Sequence, residues 1–122
     1  MIRGVLLCLV VAACKDEPRE ATPEEITERA WAAHDLVIAA GEGQSTCPAA
    51  GAAMQKVFVA NRQAFVDAIA LDRDKARLEK ATTYMEAHQD RYADLAERME
   101  KLQDRCVQDA TVQAAFAQMD NP

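Results

Sequence analysis

From Leu78 to Cys106 the chain keeps one rhythm: Leu78, Ala81, Met85, His88, Tyr92, Leu95, Met99, Leu102 and Cys106 are spaced alternately three and four residues apart. Nine positions in register make an a/d heptad seam, which predicts a long amphipathic helix with one face turned to a neighbour. The intervening residues are mostly charged, and Asp94 with Arg98 and Glu97 with Lys101 stand in the supportive i, i+4 order. Three further stripes precede and follow it. Ile26, Ala30, Ala33 and Val37, widened by Trp31 and Ile38, mark a first helix. Thr22-Pro23-Glu24-Glu25 opens that helix with a capping threonine, a proline at the first helical position and a glutamate at the third. Gly41-Glu42-Gly43 should end it, glycine readily taking the left-handed conformation past a helix end.

A second helix should begin near Cys47-Pro48 and run to about Leu71. Cys47, Met54, Asn61 and Ala68 step by sevens along it, with Gly51, Phe58 and Phe65 on the adjacent line. Asn61 in that stripe needs a hydrogen-bond partner or a place at the core's edge. Asp109 to Met119 predicts a short last helix with Val112, Ala115, Phe116 and Met119 inward. Asp72-Arg73-Asp74-Lys75 separates the second stripe from the heptad seam, so a turn near 72–76 would fold the two into an antiparallel hairpin. No glycine or proline marks that turn, and one long bent helix stays open as the alternative.

Composition agrees with helices. Alanine is abundant, only 5% of residues are aromatic, and glycine and proline are absent between Gly51 and Pro122. The formal charge is −6, an acidic balance that argues against nucleic acid and against electrostatic docking on anionic lipid.

The amino-terminal end follows a different pattern. Arg3 precedes nine apolar residues, Val5 to Ala13, where a membrane-crossing helix needs about 20. The run stops at Cys14 and gives way at once to Lys-Asp-Glu-Pro-Arg-Glu-Ala. A short apolar run after a basic start has the form of a secretory signal. Val11-Ala12-Ala13-Cys14 resembles the lipobox of bacterial lipoproteins, with valine standing where that family most often has leucine. Cys8 does not fit, because the bulky Leu7 precedes it.

The resemblance implies that Cys14 carries a diacylglyceryl group as a thioether and that cleavage falls between Ala13 and Cys14. An ordinary secretory signal would instead leave Cys14 as a free thiol. Two or more acyl chains hold a protein stably on a bilayer where one is marginal. Lys15 follows the cysteine, and in enteric bacteria an aspartate there retains a lipoprotein at the inner membrane. By that analogy the outer membrane, on its periplasmic face, is favoured where the host has two membranes. Cleavage leaves 109 of the 122 residues and takes Arg3 away, so 13 basic side chains face 20 acidic ones, net −7. The seven-residue tether Lys15–Ala21 reaches at most about 25 Å, which keeps the domain close to the bilayer.

The same resemblance assigns Cys8 to the signal and Cys14 to lipid in an oxidising compartment, and so implies a structural disulfide between Cys47 and Cys106. The hairpin is compatible with it, since Cys47 would open one arm and Cys106 close the other.

Candidate chemistry is sparse. Among known signatures, HExxH, GxSxG and a glycine-rich phosphate loop are absent, no CxxC or CxxCH occurs, and no catalytic residue or cofactor is assigned. His34 lies between the two halves of the first helix's apolar face, about 100° from its neighbour Asp35, so the two make no dyad. His88, at an inward seam position, could hold haem or copper with methionine, with Met85 and Met54 as the candidate ligands. Methionine at seam spacing is more often packing material.

The expectation is an all-α protein: a signal peptide over 1–13, a lipidated cysteine and tether over 14–21, and a helical bundle over 22–122. The bundle should be a small three- to four-helix one with an antiparallel helical hairpin stapled by one disulfide, and the first helix packed across it. The expected function is a non-enzymatic cell-envelope lipoprotein that binds or assembles proteins. Its expected partners are the membrane, through the anchor, and an envelope protein or a second copy. The alternative is a periplasmic haem- or copper-binding bundle using His88 with methionine.

Overall fold

The computed structural model describes residues 19–122. The signal segment, Cys8, Cys14 and the first part of the tether lie outside the described residues. The described chain folds into six α-helices and one 3-10 turn. They are α1 (Pro23–Glu42), α2 (Cys47–Ala60), α3 (Arg62–Ala70), the 3-10 turn Leu71–Arg73, α4 (Lys75–Ala87), α5 (Gln89–Arg105) and α6 (Ala110–Asp120).

α1 begins as its sequence requires. Thr22 is extended, and its hydroxyl accepts the Glu25 N–H at 3.1 Å, satisfying a donor that has no partner within the helix. The expected stripe is buried throughout, from Ile26 and Ala30 to Val37 and Ile38. Its end differs from expectation. Gly43 keeps a right-handed φ of −71°, and no described glycine has a positive φ. Gly41 lies inside the helix, where a Cβ would come within 2.8 Å of Leu102 Cδ2 and Met54 Sδ. Glycine is there for close approach and not for handedness.

The bundle has six helices where three to four were expected, because two long stripes are each interrupted once. The second stripe breaks at Asn61 (φ −119°, ψ 14°) and the heptad seam at His88 (φ −125°, ψ 37°). Both are polar residues at seam positions, and both bond back one turn: Asn61 Nδ2 donates to Val57 O at 2.8 Å and His88 Nδ1 to Tyr84 O at 2.8 Å. Such back-bonding gives a half-buried polar group its partner locally and competes with the helical ladder. His34 makes the same bond to Ala30 O at 2.7 Å while α1 continues, held by helices packed along its length.

The turn falls where the polar run places it. It is built without glycine or proline, by the 3-10 turn and by Asp74, whose carboxylate accepts the Arg77 N–H at 3.2 Å and caps α4. Two arms, α2–α3 and α4–α5, therefore run antiparallel, and their far ends are joined by the Cys47–Cys106 disulfide with Cα atoms 5.5 Å apart.

The arms do not close on each other. α1 lies between them and packs against α2, α3, α4 and α5, so it is the central helix and not a brace across a finished hairpin. α6 packs back on α2, its Val112, Ala115, Phe116 and Met119 all buried. That crossing is tight: a Cβ on Gly51 would stand 2.1 Å from Thr111 Oγ1. The main core gathers buried residues from every helix but α4, which adds only the partly buried Tyr84 and Met85, and a smaller cluster of Ile26, Leu71 and Ala81 closes the turn end.

Candidate binding groove

α5 lies alongside α1 in one register. Arg91 pairs with Glu28, and Arg98 with Asp35 and with Glu42, the last at 2.7 Å. Arg105 reaches the carbonyl of Gly41. Acids at 28, 35 and 42 and arginines at 91, 98 and 105 both repeat every seven residues, and the pairs advance together, so the two helices are parallel. Three arginines of α5 are thereby turned toward α1. The Arg91 guanidinium, with the Tyr84 hydroxyl, holds the Glu28 carboxyl below the usual range. The paired carboxylates of Glu42 and Asp35 raise the Arg98 pKa.

This register divides the heptad seam into two lines with different fates. Ala81, Leu95 and Leu102, one line, are buried, and Leu95 and Leu102 join the main core. Leu78, Met85, Tyr92 and Met99 of the other line are at most half-buried, with Tyr92 56% exposed, and the line ends at Cys106, buried in the disulfide. Those four form one wall of an open groove of about 500 Å³. Ala68 and Leu71 make the facing wall, and Ala30, Trp31 and His34 of α1 the floor. A groove of this volume is in the range of ligand and side-chain sites.

The polar groups at the groove are few. Asp72 and Glu100 are its charged carboxylates, and no lysine or arginine is among its described lining residues. His34 packs its ring on Phe65 with centroids 4.6 Å apart. Burial lowers its pKa, partly opposed by the bond to Ala30 O and by Asp120. Since Nδ1–H donates to a carbonyl, Nε2 keeps a free lone pair.

The sequence-selected residues separate. His88 is not among the groove's lining residues; its ring is tilted against Tyr84 with centroids 4.2 Å apart and lies 6.2 Å from Trp31. Arg91 covers the Trp31 ring at 4.8 Å. Met54 is fully buried beside Gly41 at the other end of α1, and Trp31 to Gly41 is about 15 Å of helical rise. One ion or haem iron cannot take both His88 and Met54 as ligands in this fold. Met85 packs against the main core and lines the groove. Among the described residues, no group of three or more His, Cys, Asp or Glu is placed to hold a metal. Cys47 and Cys106 are joined, as expected.

No protein-family model matches the chain, and neither a curated protein nor a solved structure does. Among the described residues, no helix is long and apolar enough to cross a membrane. The groove was missed in the sequence because the whole seam reads as one buried face. The matched spacings of acids in the first helix and arginines in the last long one were the available signal for how it is shared.

Proposed function

We propose that this chain is a lipid-anchored binding module of the bacterial cell envelope, held at the membrane through Cys14 and working without catalysis. The observation that carries the binding half is the open groove. A second row of seam residues, Leu78, Met85, Tyr92 and Met99, keeps part of its surface open to the groove after the fold has buried the first, and apolar rows at helical spacing are what recognition grooves offer a partner. The anchor half rests on Val11-Ala12-Ala13-Cys14 and on the abrupt polar tether behind it. With Lys15 after the cysteine, the outer membrane is the favoured site where there are two membranes. The haem or copper alternative cannot use His88 and Met54 together, and of its two candidate methionines only Met85, three residues before His88, stays with it.

Fractionation of cells expressing the wild-type chain and Cys14→Ser, with crosslinking of intact cells, tests the reading. The wild type should sediment with membranes, carry the mass of acyl chains on Cys14, and crosslink to an envelope protein. The Cys14→Ser chain should lose all three. A Cys14→Ser chain that stays on the membrane would sink the anchor.

A further inference from the structure

We infer that the groove receives an amphipathic helix of a partner protein whose apolar stripe is flanked by lysine or arginine. This rests on the binding-module reading and names the partner's chemistry. Leu78, Met85, Tyr92 and Met99 repeat every seven residues, the spacing at which one helix presents holes to another's knobs. Leu78 and Met85 lie on α4 and Tyr92 and Met99 on α5, on either side of the break at His88, so each helix offers an incoming helix two anchors about two turns apart. Two of the four are methionines, whose unbranched thioethers adapt to an incoming surface.

Charge decides which helix. α5 carries Arg91, Arg98 and Arg105, but all three are engaged with α1, and none is among the groove's lining residues, although Arg91 also covers the Trp31 ring. What remains at the groove is Asp72 and Glu100 on a chain of net charge −6. A basic flank meets opposite charge there, and an acidic flank meets like charge. A second copy is the poorer occupant. A two-fold contact through this face would bring identical acidic rims together between two chains of the same net charge.

Trp31, the single tryptophan, lies on the groove floor and reports occupancy directly. The experiment titrates the purified full chain, held in nanodiscs where it is acylated, with designed peptides of about 18 residues, five helical turns. One carries a leucine stripe flanked by lysines, and the second has glutamates in place of the lysines. The leucine–lysine peptide should shift Trp31 emission saturably and weaken with added salt. Met99→Gln in the groove should weaken it roughly tenfold, as for loss of an apolar anchor. Val59→Gln, on an exposed face outside the groove, should leave it unchanged. Asp72→Lys combined with Glu100→Lys should also weaken it about tenfold and favour the glutamate peptide.

Equal binding of both peptides by the wild type, or binding indifferent to Met99→Gln, would overturn the inference. So would a Trp31 response to palmitate with none to either peptide, which would make the groove a lipid site. A stable dimer whose formation blocks the peptide would give the groove to a second copy. Each of these leaves the anchoring of the chain, read by Cys14→Ser fractionation, standing or falling by itself.

Discussion

Gly51→Ala is the sharpest test of how the bundle is packed. By helix propensity alone the change should stabilise α2 by about 1 kcal/mol. The structure reverses that sign. The added Cβ would lie 2.1 Å from Thr111 Oγ1, 2.6 Å from Thr111 Cβ and 2.6 Å from the Thr111 carbonyl carbon, where ordinary contact starts at 3.4 Å. Rotating the threonine hydroxyl relieves only the first. α6 must then back away from α2 by about 0.8 Å to clear its own backbone, and a gap of that size forfeits a quarter to a half of each dispersion contact around it. Overpacking of this kind costs about 1–3 kcal/mol, and from the upper end the propensity gain leaves a loss of about 2 kcal/mol. For a domain of this size that lowers the Tm by about 8–16 °C. Circular dichroism melts of the oxidised chain measure it. Two companions make the result specific. Gly43→Ala, whose Cβ would meet nothing nearer than Ala39 O at 3.4 Å, should change stability by no more than about 0.5 kcal/mol. Thr111→Ala should not rescue Gly51→Ala, because the backbone contact persists. A Gly51→Ala chain as stable as the wild type, or full rescue by Thr111→Ala, would refute the reasoning.

Replacing both Cys47 and Cys106 with alanine opens a bridge spanning 59 residues and should lower stability by about 4 kcal/mol in the chain-entropy account, read as a urea midpoint. Reducing the wild type should give a similar loss, and an unchanged midpoint would show that the arms need no staple. Arg98→Ala removes the ion pairs to Asp35 and Glu42, and because both carboxylates are well exposed the expected loss is only about 1 kcal/mol, shrinking in high salt. A loss that salt leaves unchanged would assign it to packing of the arginine stem. His34 has a pKa lowered by burial, so below the ordinary value of 6.5 the unfolded chain takes a proton that the folded chain resists. Stability contributed by neutral His34 is therefore present above pH 6.5 and declines as the pH falls from there toward the folded pKa. Urea midpoints at pH 7.5, 6.5 and 5.5 should decline less for His34→Phe than for wild type, and parallel declines would exclude the histidine.

Much of the fold was legible from spacing. The Ile26–Ile38 stripe, the Phe58 and Phe65 line and the Val112–Met119 stripe are buried as the period predicts, because the apolar side of a helix is set by its own residues. The cap at Thr22 and the polar turn near Asp74 were equally local. Asn61 and His88 were visible as polar residues on apolar faces, but their consequence was not. Whether such a group finds a partner across the core or bonds back to its own helix and breaks it depends on what lies opposite.

The greater difference concerns α1. Hydrophobic burial has no direction, and any apolar face of suitable shape satisfies a seam. The sequence by itself therefore determined which residues of the heptad would be apolar, and that Cys47 and Cys106 could meet at the ends of two arms. Only the tertiary structure decided that α1 would enter between those arms. The ion pairs from Arg91 to Glu28 and from Arg98 to Asp35 and Glu42 set it against one line of the seam, and a helix wedged there buries Leu95 and Leu102 while Met85 and Met99 stay only partly covered and Tyr92 exposed.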